Sequence, residues 1–315
     1  MDAPHHDHPA PADPFSGAVQ SLLEALYALV PMDTWLFTRV NGNDWIMLRV
    51  LDHGSGTRAG TVLPWEESCC IHMTRGEAPS IAPDARAIPV YRDAPVNRRL
   101  PVGAYVGFPL YGPDGSLFGT LCGVHPEPMD TQIREQQAAL EALTRTAGHL
   151  LAMQRENDIL DRQRQTEALL PSIDPVTGLL NRRGWDIAVD GEETRCRRNG
   201  QPCAMVLAEI TDLDSLNRNH GINNGDRVLA ALGQILQGLL NPGDRGARVA
   251  GNRLAILLVD TGPEALERRH DEIRAALREH HPAIDTGRAL RDPGDGLQRT
   301  LHLAERDILR QRHTR

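Results

Sequence analysis

Residues 133–170, IREQQAALEALTRTAGHLLAMQRENDILDRQRQTEALL, contain no proline and no turn signal. A run of that kind reads as one long helix, and it divides the chain into a part before it and a part after it. Ile133, Leu140, Leu143, Ala147 and Leu150 fall on a 3-4 seam, the pattern of a coiled coil. Past Leu151 the phase blurs, because Met153, Ile159 and Leu160 do not continue one register. The expectation is a signalling helix over 131–170 that joins two copies of the chain in a homodimer. The alternative is a helix packed on its own domain.

Before the helix, residues 18–30 carry apolar positions at helical spacing. TWLFTRV and DWIMLRVL follow, separated by NGN, a strong hairpin signal because Asn-Gly supplies the positive φ angles of a tight turn. CCIHMTRG reads as a short helix ending at Gly76, and a Pro-rich loop comes next. A second hairpin flanks the turn at residues 112–115. This order describes one α+β domain over 16–130. After the helix, helix (182–197), strand (203–210), helix, hairpin and two further helices describe a second mixed α/β domain over 171–315. The fold class is therefore α/β (α+β), two mixed domains joined by a long helix.

At 315 residues the chain has room for two compact domains, and 40% hydrophobic with 24% charged residues is ordinary for a globular protein. No window approaches the roughly 18 uninterrupted apolar residues of a membrane span, so no membrane association is expected. The first 15 residues are acidic and rich in Pro, Ala and His, unlike a secretory signal, and read as a disordered tail. His5, His6 and His8 lie in it. Five cysteines at irregular spacing fit a reducing compartment, so the cytoplasm is expected. A net charge of −8 gives no support for nucleic-acid binding. The chain has no lysine, so every fixed side-chain cation is arginine.

The second domain resembles the GGDEF family of diguanylate cyclases. DPVTGLLNRR matches the family's opening signature, and EITDLDSLNRNHGINNGD aligns with D-I-D-x-F-K-x-I-N-D-x-x-G-H-x-x-G-D. RVAGNRL then falls on R-x-G-G-D-E-F. Family members join two GTP molecules into cyclic di-GMP, so the resemblance implies GTP with Mg²⁺ as ligands. Activating a ribose hydroxyl against an α-phosphate needs divalent metal, and Mg²⁺ takes carboxylate and phosphate oxygens. The resemblance assigns one such carboxylate to Glu209.

The signature itself is altered: Ala250, Gly251, Asn252, Arg253 and Leu254 stand where G-G-D-E-F is usual. Asn252 is neutral, and Arg253 puts a fixed positive charge where a metal should sit. Thr211, Asp214 and Ile222 depart from the family's aspartate, lysine and histidine. Arg312 stands in for a phosphate-holding lysine. The feedback motif R-x-x-D reads Asn241-Pro-Gly-Asp244. Asn217 and Asp226 remain at the positions the family uses to read guanine, although Asp226 could equally be a helix N-cap. The expected GGDEF domain is a degenerate one.

The first domain resembles a GAF domain through WEESCCIHM, APSIAPDA and VGAYVGFPLYGPDGSLFGTLCGV in that order. Cys70, Met73, Tyr105 and Cys122 are candidates for a pocket whose ligand the sequence does not identify. A tetrapyrrole site at Cys70 and His72 is less favoured than core packing, and Trp35, Trp45 and Trp65 read as core or rim. Three functional readings follow. The chain is a non-catalytic regulator whose second domain binds GTP or a protein partner, or a working diguanylate cyclase built on Glu209, or a dimeric scaffold that needs no nucleotide.

Overall fold

Gly42 adopts φ 58° in the turn that the NGN triplet marks, and the chain folds back on itself there. The computed structural model describes residues 14–112, 114–169 and 172–313, so the expected tail over 1–15 lies almost wholly outside the described residues. Two compact units are present, residues Met1–Asn157 and Asp158–Arg315.

The first unit begins with α1 (Pro14–Leu29), β1 (Thr34–Asn41), β2 (Asp44–Asp52) and β3 (Val62–Pro64). The short helix α2 (Cys69–Thr74), β4 (Ile81–Ala82) and the turn α3 (Pro89–Arg92) precede the second hairpin, β5 (Ala104–Tyr111) and β6 (Leu117–His125). The strands form one six-stranded sheet in the order β3-β2-β1-β6-β5-β4, with antiparallel neighbours. Side chains alternate between its two faces, as the pleat requires. Trp35, Phe37, Ile46 and Val106 meet α1 on one face, while Leu36, Trp45, Met47 and Tyr105 meet α2 and α3 on the other.

The long helix α4 runs over Gln137–Ala168, after a 3-10 turn at Thr131–Gln136. Its expected seam is largely consumed inside the first unit. Ile133, Leu140, Ala147 and Leu151 are buried in the same core as α1, with Leu143 and Leu150 packed at its margin. The coiled-coil seam read from the sequence is thus, in its first half, the helix's attachment to its own domain. Met153 and Leu160, 62% and 43% exposed, are left outside.

The second unit contains α5 (Arg182–Asn199), β7 (Cys203–Ile210), α6 (Leu213–His220), α7 (Ile222–Leu239), β8 (Arg245–Ala250), β9 (Arg253–Val259), α8 (Pro263–His280), β10 (Ile284–Leu290) and α9 (Gly296–His313). Four antiparallel strands in the order β10-β7-β9-β8 make the middle layer. Trp185, Met205, Leu257 and Ile308 lie on the α5/α9 face, and Val206, Ile256, Leu232 and Ile273 on the α7/α8 face. In this unit two elements are absent from the sequence reading, α6 and β10. The structure also assigns residues from Asp158 onward to the second unit, so the last turns of α4 are part of that unit.

Burial has an electrostatic consequence here. His270 on α8 is fully buried, with Nε2 3.0 Å from Thr286 Oγ1 and Nδ1 3.2 Å from Arg288 Nη1. Burial, then the charges of Arg288 and Arg274, hold its pKa at about 4 against an ordinary 6.5. The imidazole is neutral in the fold and takes a proton more readily when unfolded, so its contribution is complete above pH 6.5 and is lost as pH falls to about 4. Glu193 works lower. Burial raises its pKa, but Arg291, Arg197 and the Leu297 N–H outweigh this and hold it at about 2, so its contribution is lost as pH falls from 4.5 to about 2. Melting followed against pH should show the second unit losing on the order of 2 kcal/mol through the upper window. His270→Gln should flatten that window and leave the lower one unchanged; an unaltered upper slope would show that His270 is not its source.

Candidate functional site

The β8–β9 hairpin brings the altered signature to the end of the second sheet. Gly251 and Asn252 form its turn, and a bulge lies between Arg248 and Ala250. Arg248 donates through Nε and Nη2 to the Gly251 carbonyl at 3.1 and 2.8 Å, and its Nη1 lies 3.6 Å from Asp174 of the DPVTG segment. The Asn252 amide donates to the Ile210 carbonyl at 3.0 Å, while the Ile210 N–H donates to the Asn252 carbonyl at 2.9 Å. Asn252 is therefore committed to fastening the turn onto the end of β7. Leu254 is buried in the core under α7. Ala250 is exposed beside the turn.

The strand register sets the centre of the site. Arg253 on β9 lies directly across from Glu209 on β7, and Glu209 across from Asp285 on β10. Residues in such a row project from the same face and interact across the strands. Arg253 donates to Glu209 Oε2 at 3.0 Å and to Glu305 Oε1, on α9, at 2.9 Å. Arg312, near the end of α9, donates to the other Glu209 oxygen at 3.0 Å and to Asp285 Oδ2 at 2.6 Å. Both oxygens of Glu209 thus accept from a guanidinium. Burial pushes the Glu209 carboxyl up, but the hydrogen bonds from Arg312 and Arg253 outweigh it and hold the group below its ordinary range.

A hard divalent cation needs free carboxylate oxygens, and Glu209 has given both of its own to arginine. A doubly charged ion about 4 Å from one guanidinium would meet a repulsion of about 8 kcal/mol at an effective dielectric of 20, and here there are two. Among the described residues no group of three or more His, Cys, Asp or Glu side chains is placed to hold a metal ion. The residues do not fit Mg²⁺.

The two positions matched to guanine reading sit on consecutive helices. Asn217 lies on α6, where its Oδ1 is buried without a hydrogen-bond partner among the described residues. That oxygen lies against Gly225 on α7, 2.1 Å from where a Cβ would stand, so a side chain there would displace the amide. Asp226 is half-buried within α7, which begins at Ile222 behind Gly221. It is not that helix's N-cap. Next to these residues the turn after β7 is acidic: Asp214 is exposed in the first turn of α6, and Asp212 Oδ1 lies 2.7 Å from His281 Nε2.

At the former feedback motif, Asp244 is turned inward. It accepts from the N–H groups of Asn241 and Val259 at 3.0 Å each and from Arg269 at 3.2 Å. In the first unit, Cys70, Met73, Tyr105 and Cys122 do come together on one face of the sheet, all buried, with Tyr91 and Tyr105 ring centroids 4.8 Å apart. His72 lies apart from them, its Nδ1 2.6 Å from Glu77. Glu305 and Asp285 were not anticipated from the sequence. Asp285 became visible only with the pairing of β10 to β7, an edge strand whose sequence, IDTGRAL, has little apolar alternation.

The model of the family "Diguanylate cyclase, GGDEF domain" matches residues 172–291, and that of the GAF domain matches residues 15–154. Among curated relatives, the chain is similar to the diguanylate cyclase DgcP of Escherichia coli, 23% identical over 60% of this chain and 55% of that protein. It is also similar to the probable diguanylate cyclase DgcC of Escherichia coli, 31% identical over 34% of this chain and 27% of that protein. It therefore spans between about a quarter and just over half of the length of these relatives. A solved structure of the coiled coil and GGDEF domain of DgcB from Caulobacter crescentus, in complex with c-di-GMP, covers 58% of this chain and 96% of its own, at 17% identity and a TM-score of 0.43. The chain is thus a GAF–GGDEF protein, with a GAF domain over residues 15–154 followed by a GGDEF domain over residues 172–291.

Proposed function

We propose that this chain is a cytoplasmic signalling protein of the cyclic di-GMP type whose GGDEF domain is degenerate and does not catalyse. The observation that carries this reading is Arg253, seated between Glu209 and Glu305 where the resemblance puts metal. Arg312 reinforces it from the other side. The domain acts as a regulator by binding a guanine nucleotide through Asn217 and Asp226, whose amide and carboxylate complement the donors and acceptors of guanine. The orphaned Asn217 Oδ1 supports that assignment. One observation favours a second reading, a scaffold that holds a protein partner and no nucleotide: the arginines and carboxylates around Glu209 are already paired with one another.

Homodimerisation rests on a stripe of α4 that shares Leu143 and Leu150 with the seam read in the sequence and continues it along the exposed side. Leu143, Thr146, Leu150, Met153, Asn157 and Leu160 repeat at alternating intervals of three and four. Thr146, Met153, Asn157 and Leu160 are exposed, and Leu143 and Leu150 are half-buried. An asparagine within such a stripe favours a defined register in a two-stranded coil. No described helix is long and apolar enough to cross a membrane.

Purified full chain incubated with GTP and Mg²⁺ or Mn²⁺ should form no cyclic di-GMP. Steady turnover that disappears in Glu209→Ala would replace the regulator with a working cyclase. Asn252→Asp combined with Arg253→Glu should recover no more than a trace, because Arg312 and the acidic turn at Asp212 and Asp214 remain; robust turnover would show the signature alone to be at fault. Calorimetric titration with GTP should give saturable heat that weakens about tenfold or more in Asn217→Ala or Asp226→Ala. No heat in the wild type would select the scaffold.

In sedimentation velocity the wild type should run as a dimer, and Met153→Asp with Leu160→Asp should run as a monomer with an unchanged circular dichroism spectrum. A dimer that survives both substitutions would place the interface elsewhere.

A further inference from the structure

The buried face of α4 changes its chemistry part-way along. Leu140, Thr144, Ala147, Leu151, Gln154 and Asp158 follow one another at intervals of four, three, four, three and four, and all are buried. Up to Leu151 this face is mostly apolar and belongs to the first unit's core. From Gln154 it is polar, although it is no less buried: Asp158 is 1% exposed. Within the second unit, Asp158 meets Arg198 at 3.1 Å and accepts from the Asn199 amide. One turn on, Arg162 donates to Glu192 at 2.8 Å and to Gln201 at 3.1 Å. Gln165 donates to the Ile187 carbonyl at 3.1 Å and accepts from Arg195 at 2.9 Å.

We propose that residues 158–165 form an ionic latch that holds the last turns of α4 on the GGDEF domain in one register, and that its release is the step that passes a change in α4 to that domain. The nucleotide reading above plays no part in this inference. A buried charge left without its partner is penalised more heavily than the pair is favoured, so partly engaged positions of the helix are avoided. An apolar seam would let the helix slide by small amounts, whereas this one is either seated or free. Such a two-state element can carry coupling between sites.

Gly191 lies against the amide end of Gln165. It lies in the middle of α5, where glycine disfavours helix, and a Cβ there would stand 2.4 Å from Gln165 Nε2. Alanine at this position improves the helix and displaces the Gln165 amide from its bonds to Ile187 and Arg195, so the two roles predict opposite effects.

Hydrogen–deuterium exchange of the full chain, read by mass spectrometry, tests the proposal. In the wild type the amides of residues 158–168 should exchange about tenfold or more faster than those of 203–210, as a local opening requires. Gly191→Ala should accelerate 158–168 by about a further tenfold and leave 203–210 unchanged. In a Gln165→Ala background, where the obstruction is gone, Gly191→Ala should cause no acceleration. Glu192→Gln, which keeps the size and removes the charge, should accelerate the same segment and serves if Gly191→Ala does not fold. Equal protection of 158–168 and 203–210 in the wild type would overturn the latch. So would Gly191→Ala slowing the segment or leaving it unchanged, an acceleration that persists without Gln165, or no response to Glu192→Gln.

Discussion

The Arg253–Glu209 pair is the interaction around which the end of the second sheet is organised. Both residues are fixed by the register of β7 and β9, so their approach does not depend on a mobile loop. Arg312 then takes the second oxygen of Glu209, and Asp285 and Glu305 take what the two arginines have left. Arg253 is already balanced by Glu209. With Glu305 facing it from α9, it becomes a cross-link between the signature hairpin, the central strand and the C-terminal helix. The carboxylates and guanidinium groups at this end of the sheet meet one another.

The same logic runs through the long helix. Its first half is held by apolar burial, which is strong but indifferent to small changes of position. Its second half is held by buried charges and amides, which contribute little net stability but reject wrong positions. The two halves are attached to different units by different forces. That division makes the second attachment the one that can be released as a whole, while the first stays part of the GAF core.

Much of this was legible in the sequence, and the failures have identifiable causes. The NGN hairpin, strand 203–210 and the helix opening at Arg182 are local signals, and the structure has each of them where the residues place it. The position of Arg253 within the signature was visible too. Its partners were not, because Asp285 sits on an edge strand of weak pattern and Glu305 on a distant helix. Pairing across strands is fixed by the whole sheet, which a single sequence does not display.

The helix seam is the more instructive case. A 3-4 repeat specifies that a face is covered and does not specify by what. Ile133, Leu140 and Ala147 satisfied the pattern by packing on their own domain. The loss of phase past Leu151 is a real signal. It marks the point where the buried positions stop being apolar, and Gln154, Asp158, Arg162 and Gln165 continue the covered face in polar residues. A buried seam written in charged side chains looks, to a hydrophobicity pattern, like no seam at all. It becomes visible only when Arg198, Glu192 and Arg195 on α5 are seen to answer it.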